Sequence, residues 1–179
     1  ARGSGESAIR ILSVAEADQA ALRSDLATGL RDALARDEIE ILFQPQVNIV
    51  TRRIDGVEAL ARWRHPQFGL LGAATLFAAA NDADLVADLS RQIQCRALTA
   101  AARWLPRHPD LRLSVNVTAE DVSKQDFLSR FLRDVADSGF GTAGLTVEIT
   151  ESGLIEDLSN AAGLLAALRE KGCRVAIDD

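Results

Sequence analysis

Four apolar segments of the chain carry a polar residue in the same alternation phase. The segments are IDGVEALARW, LRLSVNVT, LTVEITES and RVAIDD, and the polar residues are Glu58, Asn116, Glu148 and Asp178. Successive side chains of a strand point to opposite faces, so Glu148 lies opposite the apolar Val147 and Ile149. Strands that alternate with helices are normally apolar on both faces. Three carboxylates and an amide on such strands therefore constrain the fold strongly.

The spacing of these polar positions is that of repeated strand–helix units. Asn116 and Glu148 are 32 residues apart, and Glu148 and Asp178 are 30 apart, which is the length of one βα unit. Such units form a parallel sheet with right-handed crossovers. Polar residues directed inward at the carboxyl ends of the strands predict an α/β fold of the (β/α)₈ barrel type, whose active site lies at that rim. An open doubly wound sheet is the alternative, but it has no interior on which ligands from separate strands converge.

Hydrophobic periodicity predicts the individual elements. The helices are expected at about 16–36, 73–83, 85–105, 119–137 and 158–171, and the strands at about 41–50, 53–63, 111–118, 145–150 and 174–179. The first two strands are joined by a short turn and should pair antiparallel. Thr118 with Asp121 indicates a capped helix start, Asp157 could cap the next helix, and Gly172 could end it.

Composition limits what the chain binds and where it works. The 20 basic and 26 acidic residues give a net charge of −6, which argues against binding long nucleic acid through a basic surface. No apolar run approaches the roughly 20 residues of a membrane span. Cys95 and Cys173 lie in apolar periodic segments and are interpreted as free thiols, which fits a reducing compartment. We therefore expect a cytoplasmic chain, although a longer parent protein could be anchored to a membrane through another region.

The polar set favours a site for hard cations. Carboxylate and amide oxygens suit Mg²⁺, Mn²⁺ or Ca²⁺. Asp179 follows Asp178 where the strand ends, so both could serve one site and hold a second ion about 3.5–4 Å away, the geometry that activates water and holds a phosphoryl oxygen. Arg62 lies four residues beyond Glu58 in the same phase, placed to reach an anionic substrate. A salt bridge or a helix cap would explain any one of these carboxylates alone, but four polar residues in register favour the metal.

Four ordered blocks resemble the EAL family, the cyclic di-GMP phosphodiesterases of bacterial second-messenger signalling. They are LFQPQVNIVTRRIDGVEALARWRHPQFG, SVNVT, VEITESGLIED and VAIDD, and together they span about Ile41 to Asp179. The resemblance implies a barrel whose first strand runs antiparallel to the rest, with only the first part of the barrel present in this chain. It also implies two Mg²⁺ or Mn²⁺ ions and hydrolysis of cyclic di-GMP to linear pGpG.

The same resemblance implies roles for individual residues. The metal ligands would be Glu58, Asn116, Glu148, Asp178 and Asp179, with Glu58, Asp178 and Asp179 as the catalytic set. Arg62 would contact a substrate phosphate, and Gln44 would line the guanine-nucleotide site. Glu151 would not bind the metal itself but would support the residues that do. Trp63 and His65 are expected to be structural, as a packed indole and a hydrogen-bonded loop imidazole.

Domain organisation also follows from the resemblance. Residues 1–13 resemble the tail of a GGDEF (diguanylate cyclase) domain, residues 14–38 a linker helix, and residues 39–179 the N-terminal portion of an EAL domain. Family members supply a catalytic Lys, a further metal-binding Glu and a Gln after the DD motif, where this sequence stops. We therefore expect the 179-residue chain alone to be inactive. Ala78, Asn81 and Asp84 replace a proline, an acid and a glycine of the family pattern, which leaves the local loop shape open.

Three functions remain at this point. The first is a metal-dependent cyclic di-GMP phosphodiesterase, preceded in its parent by a GGDEF or sensor domain. The second is a catalytically inactive EAL domain that binds cyclic di-GMP or a protein partner. The third is an enolase-like barrel enzyme, which also places acids on Mg²⁺ at strand ends, although the ordered blocks disfavour it. Family members commonly dimerise through barrel helices, so the resemblance also implies a homodimer.

Overall fold

The computed structural model describes residues 14–150 and 158–178, and the side-chain environments of residues 21–150 and 160–177. These residues form an α/β layer in which helices cover one face of a six-stranded sheet. In chain order the elements are α1 Val14–Ala35, β1 Ile39–Val47, β2 Ile54–His65, β3 Gly69–Leu71, α2 Ala73–Asp82, α3 Val86–Ala102, β4 Arg112–Val117, α4 Ala119–Ser123, α5 Phe127–Ser138, β5 Leu145–Thr150, α6 Leu158–Glu170 and β6 Arg174–Asp178.

The strand order follows the chain, β1-β2-β4-β5-β6, and β3 pairs separately with the carboxyl end of β2. β1 runs antiparallel to β2, whereas β2, β4, β5 and β6 are mutually parallel. Because parallel neighbours need a crossover, a helical segment follows each of β2, β4 and β5. The predicted βα units and the predicted antiparallel first strand are therefore confirmed. The described residues form part of a barrel of TIM type.

Two apolar clusters hold the layer together. In the larger, the outward-facing residues of β4 and β5, such as Val115 and Val147, pack with Leu98 of α3 and Phe131 of α5. All four are at most 1% exposed, and burying a side chain of this size is worth about 1.5–3 kcal/mol. The smaller cluster joins Leu26 and Leu30 of α1 to Trp63 of β2, Leu76 of α2 and Leu89 of α3.

The structure divides the helix that the sequence predicts at 119–137. Lys124 is extended (φ −83°, ψ 119°) and separates α4 from α5. At 100° per residue, Val122 and Phe127 would lie about 140° apart on one straight helix, yet both are buried. Breaking the helix lets both side chains reach the core. The capping box predicted from Thr118 and Asp121 is present at the start of α4.

Three further details differ from the sequence prediction or complete it. β1 ends at Val47 and β2 begins at Ile54, so the connection between them is longer than the predicted two residues. Within it, the Asn48 side chain accepts hydrogen bonds from the amides of Val50 and Thr51, each at 3.0 Å. β3 was not predicted, because three residues carry no periodic signal. Asp84 has φ 56° between α2 and α3, and this left-handed backbone is the loop shape that the sequence left open. Asp157 lies outside the described residues.

Several other expectations are confirmed. Gly172 ends α6 with φ 91°, and the Cys173 amide donates to the Leu168 carbonyl at 3.1 Å, as in a glycine-terminated helix. Cys95 and Cys173 are both free thiols, and burial is the main cause that raises the pKa of each. In the described part of the chain, no helix is both long and apolar enough to cross a membrane.

Candidate functional site

The strand register brings the predicted polar positions of the parallel strands together on the inner face, the face of the sheet opposite the helices. Asn116 of β4 and Glu148 of β5 are direct Cα partners, and Glu58 of β2 pairs with Ser114, two residues before Asn116. Asp178 of β6 pairs with Thr150, two residues beyond Glu148. The backbones of all four predicted positions therefore lie within about two residues of their neighbours across adjacent strands.

Their stagger is the one expected of inward-facing residues in an eight-stranded barrel. Glu58 and Glu148 are separated by two strand boundaries and a register offset of two residues. Asn116 and Asp178 show the same offset across the same number of strands. An eight-stranded barrel with a shear of eight shifts the register by one residue per strand, so inward residues of alternate strands share a layer. The four positions consequently occupy two neighbouring layers at the carboxyl-terminal rim.

Glu148 is held in place by an amide from the antiparallel strand. Its side chain is 8% exposed, and its Oε1 accepts a hydrogen bond from Nε2 of Gln46 at 3.2 Å. The other end of that amide, Oε1, accepts a hydrogen bond from Oγ of the buried Ser114 at 3.2 Å. The two bonds fix both ends of the Gln46 amide, so the Glu148 carboxylate has a defined orientation.

Gln46 is the site residue that the sequence analysis missed. It lies in the same phase as Gln44 on β1, which is the one signal that could have identified it. What brings it over the parallel strands is Gly56, its register partner. A Cβ at Gly56 would lie 3.0 Å from the Arg112 carbonyl oxygen and 3.2 Å from Oε1 of Gln46. The missing side chain thus lets Gln46 and β4 approach each other.

Glu58 and Asn116 are linked directly. Nδ2 of Asn116 donates to Oε1 of Glu58 at 3.2 Å, which leaves the amide oxygen of Asn116 as the atom available to a cation. The backbone of Asn116 is fixed from the helix side, because Nε2 of Gln94 donates to its carbonyl oxygen at 3.1 Å. Both side chains are half-buried, so they are restrained yet accessible from the rim.

A buried polar network supports the end of β4. Asp121 is 0% exposed, and its Oδ2 accepts hydrogen bonds from the Ser90 hydroxyl and from the Thr118 amide. Gln94 donates to the same Ser90 hydroxyl at 3.0 Å. The network joins α3 to the turn that follows Asn116, and it therefore fixes the position of this predicted ligand at the end of β4.

The two predicted substrate contacts lie on the same side of the sheet. Gln44 is the direct register partner of Glu58, and its side chain is exposed. Arg62 lies four residues further along β2, where its guanidinium donates to the Ala61 carbonyl at 2.8 Å and remains half-buried. Four strand residues span about 13 Å, so the contacts are spread over the length of a nucleotide.

Trp63 and His65 have the structural roles expected of them. Trp63 is 0% exposed, and its indole nitrogen donates to Glu38 at 3.1 Å. Nδ1 of His65 accepts hydrogen bonds from the amides of Gln67 and Phe68 in the loop before β3. The indole thus packs in the core, and the imidazole holds the loop that leads to β3.

The donor set fits a hard divalent cation. Glu148 has no cationic partner within the described residues, although burying a carboxylate without one is costly. The described residues contribute two carboxylates and one amide, and among them no group of three His, Cys, Asp or Glu residues could hold a metal ion. The side chain of Asp178, together with Asp179 and Glu151, lies outside the described residues, so their predicted roles stay predictions.

Comparisons with known proteins identify relatives of this chain. The sequence profile of the EAL domain matches residues 27–179. The chain is 37% identical over 164 residues to cyclic di-GMP phosphodiesterase PA2567 of Pseudomonas aeruginosa, covering 90% of this chain and 28% of that protein. It is 29% identical over 154 residues to cyclic di-GMP phosphodiesterase PdeR of Escherichia coli, covering 86% of this chain and 23% of that protein.

A solved structure gives the same result. The structure of the PaMucR phosphodiesterase in complex with c-di-GMP matches with a TM-score of 0.81 at 28% identity, covering 87% of this chain and 63% of that one. The chain spans about a quarter of the length of the two curated relatives.

Proposed function

Because this chain belongs to the EAL domain family, we propose that it forms the first strands of a phosphodiesterase that hydrolyses cyclic di-GMP to linear pGpG. The observation that carries the proposal is the gathering of Glu58, Asn116 and Glu148 at one rim, in the stagger expected of an eight-stranded barrel. The relatives that are named cyclic di-GMP phosphodiesterases support the same substrate.

In this proposal the rim residues hold two Mg²⁺ or Mn²⁺ ions. The ligands are Glu58, Asn116, Glu148, Asp178 and Asp179. When bound, such ions lower the pKa of a water molecule and stabilise charge on a phosphoryl oxygen. Gln46 orients Glu148, and the bond between Asn116 and Glu58 keeps two ligands from adjacent strands together before the ions arrive. Ordering ligands in advance reduces the conformational entropy lost on binding.

Substrate recognition falls to residues flanking this set. Arg62 supplies a cation for a phosphate of the dinucleotide, because a guanidinium matches two phosphate oxygens at once. Gln44 offers an amide donor and acceptor to a guanine edge. Both lie on β1 or β2, so the antiparallel hairpin would form one wall of the substrate cleft.

The test is hydrolysis of cyclic di-GMP by the full-length protein that carries this chain. Product is separated by chromatography in parallel reactions with Mg²⁺, Mn²⁺ or excess EDTA. We expect pGpG to form with either metal and not with EDTA. Turnover that persists in EDTA would refute the metal-dependent mechanism.

The same samples distinguish the non-catalytic alternative. Tight binding of cyclic di-GMP without turnover in either metal would mean a receptor that kept its ligands. A protein that neither binds nor hydrolyses cyclic di-GMP would instead act through a protein partner. Both results would overturn the proposed hydrolysis.

A further inference from the structure

A second polar cavity lies at the opposite end of the strands from the candidate metal site. It has a volume of about 640 Å³ and is lined by residues from the β1–β2 connection, the loop before β4 and the beginnings of β2, β4 and β6. Arg112 and Arg174 begin β4 and β6, four residues before Asn116 and Asp178 on the same strands. Four strand residues are about 13 Å, so this cavity, the floor pocket, is separate from the rim.

The floor pocket is positively charged within a negatively charged chain. The whole chain carries a net charge of −6. Yet the pocket lining contains more guanidinium groups than carboxylates, the charged residues being Arg53, Arg107, Arg112, Arg174, Asp55 and Asp110. Asp55 accepts a hydrogen bond from Nδ2 of the neutral Asn48 at 2.8 Å, a contact that leaves its charge unchanged. The lining therefore has a net charge of +2 before His108, which also contacts the cavity, is counted.

Arg112 is fixed in this lining with one donor unused. Its terminal nitrogens donate to the carbonyls of Ala143 and Leu145, at 3.0 and 3.3 Å. Its Nε is buried and has no hydrogen-bond partner in the described part of the chain. Burial and, second, the like charge of Arg174 lower the pKa of Arg112. Arg112 and Arg174 both line the cavity, and an anion bound there would offset their like charges.

The other arginines of the lining are uncompensated as well. Among the residues that the structure describes, Arg53, Arg107 and Arg174 form no ion pair with a carboxylate. Elsewhere on the surface, arginines pair closely: Arg23 with Asp82, Arg64 with Glu40 and Arg91 with Asp134. The guanidinium groups of the floor pocket therefore keep their full positive charge, as those of Arg23, Arg64 and Arg91 do not.

We propose that the floor pocket binds a phosphate group, as inorganic phosphate or as the phosphate of a small phosphorylated molecule. Guanidinium groups bind phosphate oxygens through paired, charge-assisted hydrogen bonds, and four arginines line this single cavity. Its volume lies within the range of roughly 300–1,000 Å³ that is usual for small-molecule sites. The proposal concerns a different end of the strands from the proposed hydrolysis and does not depend on it.

The test is calorimetric titration of the full-length protein in EDTA and low salt, without cyclic di-GMP. The probes are inorganic phosphate, guanosine monophosphate and uncharged guanosine. Arg174→Gln is the main variant, because Arg174 is exposed and forms no ion pair with the residues that the structure describes. Arg103→Gln, at the end of α3 and outside the pocket, makes the same charge change as a control. We expect phosphate to bind about tenfold or more weakly to Arg174→Gln, with Arg103→Gln unchanged.

The three probes separate the two sources of phosphate. Stronger binding of guanosine monophosphate than of phosphate indicates a phosphorylated small molecule, equal binding indicates phosphate itself, and either supports the site. Binding of guanosine equal to that of its monophosphate would overturn it. Absence of phosphate binding to the unaltered protein would also overturn it. A lower melting temperature of Arg174→Gln would then show that an acidic side chain from elsewhere in the protein occupies the pocket.

Discussion

At Glu148 the burial of a side chain and its charge are in conflict. The carboxylate is 8% exposed and accepts a hydrogen bond from a neutral amide, with no cationic partner among the described residues. An unpaired buried charge costs several kcal/mol. A bound cation would remove most of that cost, and we infer that the site is shaped for one.

Gln46 is expected to set the affinity of this site for metal. Gln46→Ala removes the amide that orients Glu148, so we expect Mn²⁺ to bind about tenfold more weakly, as is usual when a residue that orients a ligand is lost. Because the ligands themselves remain, saturating Mn²⁺ should largely restore kcat. Titration with Mn²⁺, followed by both calorimetry and turnover, measures the two effects.

Gln67→Ala is the matched control, since Gln67 lies in the exposed loop before β3. It should change neither Mn²⁺ affinity nor turnover. A lower melting temperature of Gln46→Ala with unchanged Mn²⁺ affinity would mean that Gln46 only packs the sheet, and the orienting role would be wrong.

The sequence alone was sufficient to predict which face of the sheet the site residues occupy, but not which residues they contact. Alternation placed Glu58, Asn116 and Glu148 on the inner face, and the register confirms their proximity. Gln46 was missed because its contact with Glu148 spans 102 residues and depends on the close approach at Gly56. Such a contact is a property of tertiary structure, and no local pattern records it.

At the scale of elements, α1 is expected to be an integral part of the fold. Leu30 is 0% exposed in the cluster that contains Trp63 and Leu76. Leu30→Ala should lower the free energy of unfolding by about 2–5 kcal/mol, the cost of a large-to-small change in a packed core. Urea denaturation of the full-length protein measures the difference.

Leu22→Ala on the same helix is the control, because Leu22 is 39% exposed. Its effect should be within about 0.5 kcal/mol, as for most surface changes. Equal, small effects of the two substitutions would show that α1 is a linker that does not pack on the sheet.

The contact between α3 and α5 should weaken in acid. Arg91 donates two hydrogen bonds to Asp134, at 3.0 and 3.1 Å, and these bonds lower the pKa of Asp134. A lowered pKa means that the stabilisation is present above the unfolded-state pKa of about 3.9 and is lost as the pH falls through the folded-state pKa. Arg91 is half-exposed, so we expect less than about 1 kcal/mol.

Asp134→Asn should therefore be less stable than the wild type at pH 7, and the difference should shrink as the pH falls below the unfolded-state pKa of about 3.9. Asp137→Asn, one helical turn further along α5 and exposed, is the control and should show a smaller difference. Urea denaturation at several pH values measures both. A difference for Asp134→Asn that grows as the pH falls would contradict the ion pair.

Elements were predictable where their signal was long and periodic. The boundaries of α2, α3 and β5 follow the sequence prediction to within a few residues. The break between α4 and α5 was not predicted, because it is set by the need to bury both Val122 and Phe127. That requirement comes from the sheet beneath the helices and not from the helix sequence.

At the scale of the whole molecule, the sheet determines where the two proposed sites lie. Parallel pairing of β2, β4, β5 and β6 gathers their carboxyl ends at one rim, where the predicted ligands lie, and their beginnings at the other end, where the floor pocket lies. The proposed cation site and the proposed phosphate site therefore lie at opposite ends of one sheet.

The most direct test of the account is Glu58→Ala in the full-length protein. Turnover of cyclic di-GMP and affinity for Mn²⁺ are measured beside Glu170→Ala, which removes an exposed carboxylate at the end of α6. Loss of one metal ligand should lower turnover by roughly a hundredfold or more and weaken Mn²⁺ binding, because the ion supplies several kcal/mol of charge stabilisation. Glu170→Ala should behave as the wild type. Full turnover and unchanged Mn²⁺ affinity in Glu58→Ala would contradict the metal site at this rim.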